Sequence, residues 1–384
     1  LLCFAVAMRS VLVALILAAC NHSAATQNDA ASIGGDAPTR DAATRDGGSG
    51  SGIPYMIGIK ADGTLDAATT MTSWLGRPID IVGATITTTS FMFTDSAHPY
   101  AGEPRPALDI SFPLLSCWDS GDSGGYTDLG MAASGGYDAQ YKAMADYLAG
   151  LQNPTALVAI GWEMTGNWYC WSVGSTGGQN VSAANYTAAF KRAAQIIRQE
   201  FMTAGKPVPL VEFCFAWEQS DPTSYWPGKY DATANPGGAD TISADVYQAL
   251  ATQYSNNGKT TSWPMIQSNT GLASPVEYDL DWLVTFAQQQ DVLIGLREYG
   301  AGESDSGGAG SRGPTCTPMA PGLDDPTFYT DASKWLDGLG ARAAYNIVAD
   351  DAPADDFLTP GCNAAEQASW TSRYVGTTFA GTWW

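Results

Sequence analysis

Residues 156–171 read ALVAIGWEMTGNWYCW, and the fold turns on this stretch. ALVAIGW (156–162) is an apolar run that reads as a strand, and Glu163 follows it directly. Asn167, Trp168 and Trp171 come next, so the acid sits in a wet, aromatic-walled place. A second stretch has the same form: VLIGLREYG (292–300) runs apolar, then reaches Arg297, Glu298 and Tyr299 before a glycine. Two carboxylates that end two hydrophobic strands point to a paired-acid site, provided that a fold brings them together.

Outward from these two stretches, short apolar runs alternate with helical patterns. The expected strands are 53–59, 79–86, 106–115, 156–162, 208–217, 241–247, 292–298 and 343–349. Helices are expected over 66–76, 137–150, 185–201, 278–290 and 328–340, the third having the clearest three-and-four spacing of apolar residues. Eight strands separated mostly by helices predict an α/β protein, a (β/α)8 TIM barrel over residues 51–384. An open doubly wound sheet is the competing architecture, but no GxGxxG turn or P-loop follows an early strand. The final segment, 376–384, reads as a closing piece packed on the barrel.

In a barrel, strands four and seven open onto the same face, across the mouth from each other. Cleavage of a glycosidic bond needs one protonated and one ionised carboxyl, and retention of configuration needs them about 5–5.5 Å apart. Glu163, beside Trp162, Trp168 and Trp171, has the more apolar setting and is expected to be the general acid. Glu298 is the expected nucleophile, with Tyr247 or Tyr299 to orient it and Arg297 on the outer face of the strand. Trp118, Trp162, Asn167, Trp168, Trp171, Trp217, Tyr225, Trp226 and Tyr247 are expected to bind substrate, because sugar rings stack on indoles while their hydroxyls need fixed polar partners. Glu212 is expected to face the barrel interior as partner of a basic group, while Glu218 and Asp221 lie in the next loop within reach of sugar hydroxyls. Asp119 and Asp122 form only a fragment of a calcium loop.

These residues resemble glycoside hydrolase family 26, whose acid/base segment has the form R-P-x-H-E-M-N-G-x-W-F-x-W. The match falls on Glu163, Met164, Gly166, Trp168 and Trp171. The family's tyrosine-proline-glycine segment looks like YWPGKYD (225–231), its strand-six tyrosine falls on Tyr247, and its nucleophile segment falls on EYG (298–300). The resemblance covers roughly 51–350. It implies an endo-acting retaining β-glycoside hydrolase with Glu163 as acid/base and Glu298 as nucleophile, needing no cofactor or metal. The chain departs from the pattern at Trp162, where the family usually has histidine, and at Val158, Ala159 and Ile160, where its Arg/Pro pair is absent. Xylan, mixed-linkage glucan or a bacterial exopolysaccharide therefore stand beside β-mannan as substrates. A glycan-binding surface lipoprotein that does not cut, and a transglycosylase using the same acids, are the alternative readings.

Composition limits the partners. With 18 basic and 39 acidic residues the 384-residue chain carries a formal charge of −21, which repels nucleic acid and anionic lipid. The two histidines, His22 and His98, leave little for a histidine metal site or a Ser-His-Asp triad. Residues 1–20 read as an export signal: Arg9, then VLVALIL (11–17), then LAAC (17–20), which resembles a bacterial lipobox with Cys20 as the acylated residue. The membrane contact expected is this anchor at the outer membrane or cell surface, otherwise secretion, with residues 21–50 as a flexible tether and the protein a monomer. Export permits disulfides: Cys316–Cys362 is the preferred pair, Cys117–Cys170 a second, and Cys214, in an apolar run, a buried free thiol.

Overall fold

In the computed structural model eight parallel strands close on one another in chain order: β1 (Met56–Ala61), β2 (Ile81–Thr85), β3 (Ala107–Phe112), β4 (Thr155–Ile160), β5 (Leu210–Ala216), β6 (Thr241–Tyr247), β7 (Leu293–Gly300) and β8 (Ala343–Asp350). β8 pairs back onto β1, from Met56 opposite Tyr345 to Ala61 opposite Asp350, so no edge is left in this sheet. The structure describes residues 52–61, 66–86, 106–116, 127–172, 178–217, 221–248, 251, 261–301, 325–350 and 364–381. Residues 1–50, expected to be an export signal and tether, lie outside them, as do His98, Cys117, Trp118, Asp119, Asp122, Glu218, Cys316, Cys362 and the last three residues.

Each expected strand is found, with ends shifted by a few residues. Ile53, expected in the first strand, belongs instead to a two-residue piece, Gly52–Ile53, paired in parallel with Thr378–Phe379. The closing segment therefore ties the start of the barrel to its end. The helices that cover the strands are α1 (Asp66–Leu75), α2 (Asp138–Gly150), α3 (Ala183–Thr203), α4 (Leu280–Gln290), α5 (Pro326–Leu339) and α6 (Ala364–Tyr374). Their sequences carry start signals: Ser182 caps α3 by accepting from the N–H of Asn185, and Asp325 caps α5 at Thr327 and Phe328 with Pro326 in the first turn. α3 buries Tyr186, Ala189, Phe190, Ala193, Ala194, Ile197 and Phe201, the three-and-four spacing that identified it.

Among the described residues no long helix follows β5. A single 3-10 turn, Thr223–Tyr225, leads into irregular chain that returns to β6. Its aromatics do the work of a helix. Tyr225 meets Tyr186 of α3 edge-on at 5.3 Å, and Trp226 sits between Phe213 of β5 and Phe286 of α4 at 5.2 and 5.4 Å. Arg198 of α3 fixes the returning chain through the carbonyls of Pro236 and Gly238 and through Asp240.

The lumen is filled in tiers. Toward the N-terminal ends of the strands, Met56, Ile81, Leu157, Leu210, Tyr345 and Ile347 form a separate apolar cluster. Gly295 makes room for it, because a Cβ there would lie 1.9 Å from the Tyr345 ring. Above comes a buried polar tier of Asp109, Ser111, Glu212, Ser243 and Arg297. The chemistry stands on top of that tier.

Candidate active site

β4 ends at Ile160, and the turn that follows throws Glu163 over the mouth. Gly161 adopts φ +53, and a Cβ there would also press on Leu114 at 2.7 Å. Glu163 itself has φ +51, a left-handed conformation that costs a non-glycine residue on the order of 1 kcal/mol. The surroundings hold it there: its N–H donates to the carbonyl of Cys214 on β5 at 2.9 Å, and its carbonyl accepts from Gly166 at 3.0 Å.

β7 brings Glu298 to the same place by a different device. The register runs Ala244 opposite Leu296 and then Asp245 opposite Glu298, so Arg297 is an extra residue in a β-bulge. Simple alternation sends Arg297 outward when Glu298 points in. The bulge turns both inward, and the expectation of an outer-face arginine is corrected. Tyr299 then faces out, its ring packed on Phe328 and Tyr329, so Tyr247 and not Tyr299 reaches the nucleophile candidate. Tyr247 Oη donates to Glu298 Oε2 at 2.8 Å. Oε1 is held by Lys60 and by Arg297 Nη1, the latter at 2.5 Å.

Carboxylate oxygens of Glu163, Asp245 and Glu298 lie within 4.8 Å of one another, and all three residues are buried. Their environments push them apart. Burial, and then the charge of Glu298, raise Glu163 to about 7. Burial alone would raise Glu298 as well, but the charges of Lys60 and Arg297, with hydrogen bonds from Lys60 and Tyr247, outweigh it and hold the carboxyl at about 2. Asp245 is pushed well above the usual carboxylate range by burial, then by Glu298 and Glu163. Its Oδ1 accepts a hydrogen bond from the Cys214 thiol at 3.1 Å. At neutral pH the site thus holds an ionised Glu298 beside a Glu163 poised between its two forms, with the Asp245 carboxyl shifted toward its protonated form. The same three oxygens are the described group that could converge on a cation, but Lys60 and Arg297 already neutralise Glu298.

The tier below sustains this arrangement. Arg297 Nε lies 3.1 Å from Asp109 and 3.7 Å from Glu212, and its Nη2 donates to Ser111. Glu212, further held by Ser243, is raised to about 7 by burial and then by Asp109. The glutamate of β5 is thus a partner of a basic group inside the barrel, beneath the paired acids.

Of the described aromatic residues among those expected to bind substrate, Trp168 is the one that meets solvent and the acid together. It is 40% exposed, and its indole N–H donates to Glu163 Oε2 at 2.7 Å. Asn167 beside it is exposed. Trp162 is buried next to Lys60, its indole N–H spent on the Tyr169 hydroxyl at 2.9 Å. Trp171 is buried behind it, stacked on Tyr169 at 4.6 Å and bonded to the Trp162 carbonyl, so it supports the wall and does not line it. Trp217 is buried just past the end of β5, with its backbone N–H donating to the Asp245 carbonyl at 3.2 Å. Tyr225 and Trp226 lie in the layer between α3 and α4, away from the carboxylates, because they replace a missing helix. Trp118 falls outside the described residues. Cys170 is disulfide-bonded, and Cys214 is a buried free thiol.

Sequence reasoning missed Lys60, Asp245 and the inward Arg297. A signal existed for Asp245: it is two residues before Tyr247 and therefore shares its face of β6. Lys60, one residue from the end of β1, had a positional signal similar to that of Glu163. Nothing in the sequence marks the bulge.

No protein-family profile matches the chain, and no curated protein matches it by sequence. Solved structures do resemble it. Over 86% of its length it is similar to the catalytic domain of the Bacillus sp. JAMB-750 GH26 endo-β-1,4-mannanase, covering 89% of that chain with a TM-score of 0.54 at 13% identity. The modular endo-β-1,4-mannanase of Cellulomonas fimi gives 0.53 at 15% identity, over 86% of this chain and 73% of that one. The Bacillus subtilis mannanase BCman gives 0.51 at 14% identity, over 86% and 88%. At such identities the likeness is one of architecture alone: this chain shares the (β/α)8 barrel of these solved structures.

Proposed function

We propose that this protein is a retaining, endo-acting β-glycoside hydrolase with Glu163 as acid/base and Glu298 as nucleophile. The observation that carries the reading is the pair of carboxylates within 4.8 Å, one raised to about 7 and the other held at about 2. That separation suits direct attack by Glu298 on the anomeric carbon and is too short for a water between the acids. Glu163, protonated, gives its proton to the leaving oxygen as Glu298 forms the glycosyl ester. Glu163, now ionised, takes a proton from the water that breaks the ester.

The substrate is a neutral β-linked polysaccharide. Trp168 offers a sugar ring an exposed indole directly beside the acid. Because the similar structures are described as mannanases, β-1,4-mannan comes first on a panel that also holds xylan, mixed-linkage glucan and bacterial exopolysaccharides. Trp162 has no free donor to offer a sugar hydroxyl, which keeps the panel wide. Product sizing on that panel tests the reading: internal cuts by the wild type and none by Glu163→Ala or Glu298→Ala are expected. Full activity in either variant, or binding without products on every glycan, overturns it. Sugar-to-sugar transfer at high substrate concentration would assign the same acids to a transglycosylase. The chain is further proposed to be exported and anchored through Cys20, which a Cys20→Ala variant released from the membrane fraction would support.

A further inference from the structure

The penultimate residue of β1 is a lysine, placed where burial disfavours a charge. Lys60 is 6% exposed, its ammonium pairs with Glu298 Oε1, and it lies 6.0 Å from the centre of the Trp162 ring. The neighbouring strand is shaped to admit it: a Cβ on Gly83 of β2 would lie 2.7 Å from both Cβ and Cγ of Lys60. Neutralising Glu298 does not require this lysine, since Arg297 already contacts the same oxygen. What the second cation adds is asymmetry. Oε1 is pinned by two cations from β1 and β7, while Oε2 has the neutral phenol of Tyr247.

We propose that Lys60 is a positioning residue for Glu298: it fixes Oε1 so that Oε2 is the attacking atom, and it stabilises the charge that returns to the carboxylate when the glycosyl ester breaks. This rests on the hydrolase reading above. In the first step an Oε2 electron pair forms the bond to the anomeric carbon while the bond to the leaving oxygen breaks, and that oxygen takes the Glu163 proton. In the second, a water oxygen bonds the anomeric carbon, its proton passes to Glu163, and the pair of the broken C–Oε2 bond returns to Glu298. A carboxylate flanked by cations is the better leaving group, so the second step depends on Lys60 more than the first.

The groups that face this carboxylate are Lys60 of β1, Asp109 of β3, Glu163 and Tyr169 of the turn after β4, Asp245 and Tyr247 of β6, and Arg297 of β7, while Glu212 and Cys214 of β5 act on Arg297 and Asp245 beside it. Isotope-edited NMR of carboxyl-labelled glutamate in the full chain reads Glu298 without any substrate, with Glu298→Gln for assignment. Loss of an adjacent cation moves a carboxyl midpoint by about one pH unit or more. The midpoint of Glu298 is therefore expected to rise by that amount in Lys60→Met and to fall back in Lys60→Arg. Lys60→Gln serves in place of Lys60→Met if the latter does not fold. On a substrate that the wild type cuts, the same variant is expected to show a burst of leaving group followed by slow turnover, with kcat and KM falling together. An unchanged Glu298 midpoint in a folded variant overturns the proposal. Wild-type inactivity on every glycan overturns the hydrolase reading instead, so the two failures are distinct.

Discussion

Glu163 and Glu298 are chemically identical side chains, and what separates them is their neighbours. For turnover Glu298 must be ionised and Glu163 protonated. Glu298 loses its proton above about 2, and Glu163 keeps its own below about 7. The profile of kcat/KM is therefore expected to be flat through the acidic range and to fall about tenfold per unit above a limb near 7. Trp168 adjusts that limb. Its N–H stabilises the ionised form of Glu163, so Trp168→Phe, which keeps a stacking ring and removes the donor, is expected to raise the alkaline limb by up to about one unit. The same variant is expected to lose activity on the order of tenfold, because the acid is no longer oriented. A pH–rate series on both proteins checks the sign: a limb that moves down, or stays, would show that Trp168 is a platform alone. Glu163→Gln is expected to cost about 10²–10⁴ in rate while leaving substrate affinity close to that of the wild type, as single-turnover and binding measurements would report.

At the scale of the element, the bulge in β7 decides the polar interior. It turns Arg297 into the lumen, where it faces Asp109, Glu212 and Glu298, and none of these acids has solvent to fall back on. Arg297→Met is expected to cost about 3–5 kcal/mol at pH 8, the range seen when one partner of a buried ion pair is removed. The pH dependence has a definite sign. Glu212 is raised to about 7 in the folded protein, so it destabilises the fold progressively as pH rises from its unfolded value toward 7. Without the arginine its folded value rises further, and the penalty keeps growing above 7. Glu298, which the same arginine helps to hold at about 2, loses a partner at pH 5 and pH 8 alike, so the loss of Tm in Arg297→Met should be present near pH 5 and larger near pH 8; an equal loss at both would rule out Glu212 as a source. This bulge also marks the limit of what the sequence could tell. The apolar runs made all eight strands legible, and Glu163 and Glu298 were legible because each ends such a run. Alternation then misplaced Arg297, since a one-residue insertion in a strand has no composition of its own. Tyr225 and Trp226 were misread for a related reason. An aromatic pair in a loop after a strand reads as a rim, and only the absence of a long helix between β5 and β6 sends it down between α3 and α4 as packing. Lys60 and Asp245 stood in strand-end positions of the same kind as Glu163, but a charged residue there is more often solvated than convergent, and convergence belongs to the closed barrel.

For the whole molecule, the relevant quantity is charge. The cations Lys60 and Arg297 are buried and paired with Glu298, while the chain as a whole carries −21. A neutral glycan approaches such a protein without electrostatic cost, and its cleavage should vary little with salt. A polyanionic glycan meets a field that lowers its concentration at the mouth, and that field is screened over about 10 Å at 0.1 M salt. The comparison is best made within one polymer, between an accepted neutral glycan and its lightly carboxymethylated form. The charged form is expected to be cut more slowly at low ionic strength, chiefly through a higher KM, and the gap is expected to narrow several-fold as salt rises from about 0.01 to 0.5 M. A gap that does not respond to salt would mean that the substituents clash with the subsites directly, and that the acidic surface takes no part in choosing the substrate.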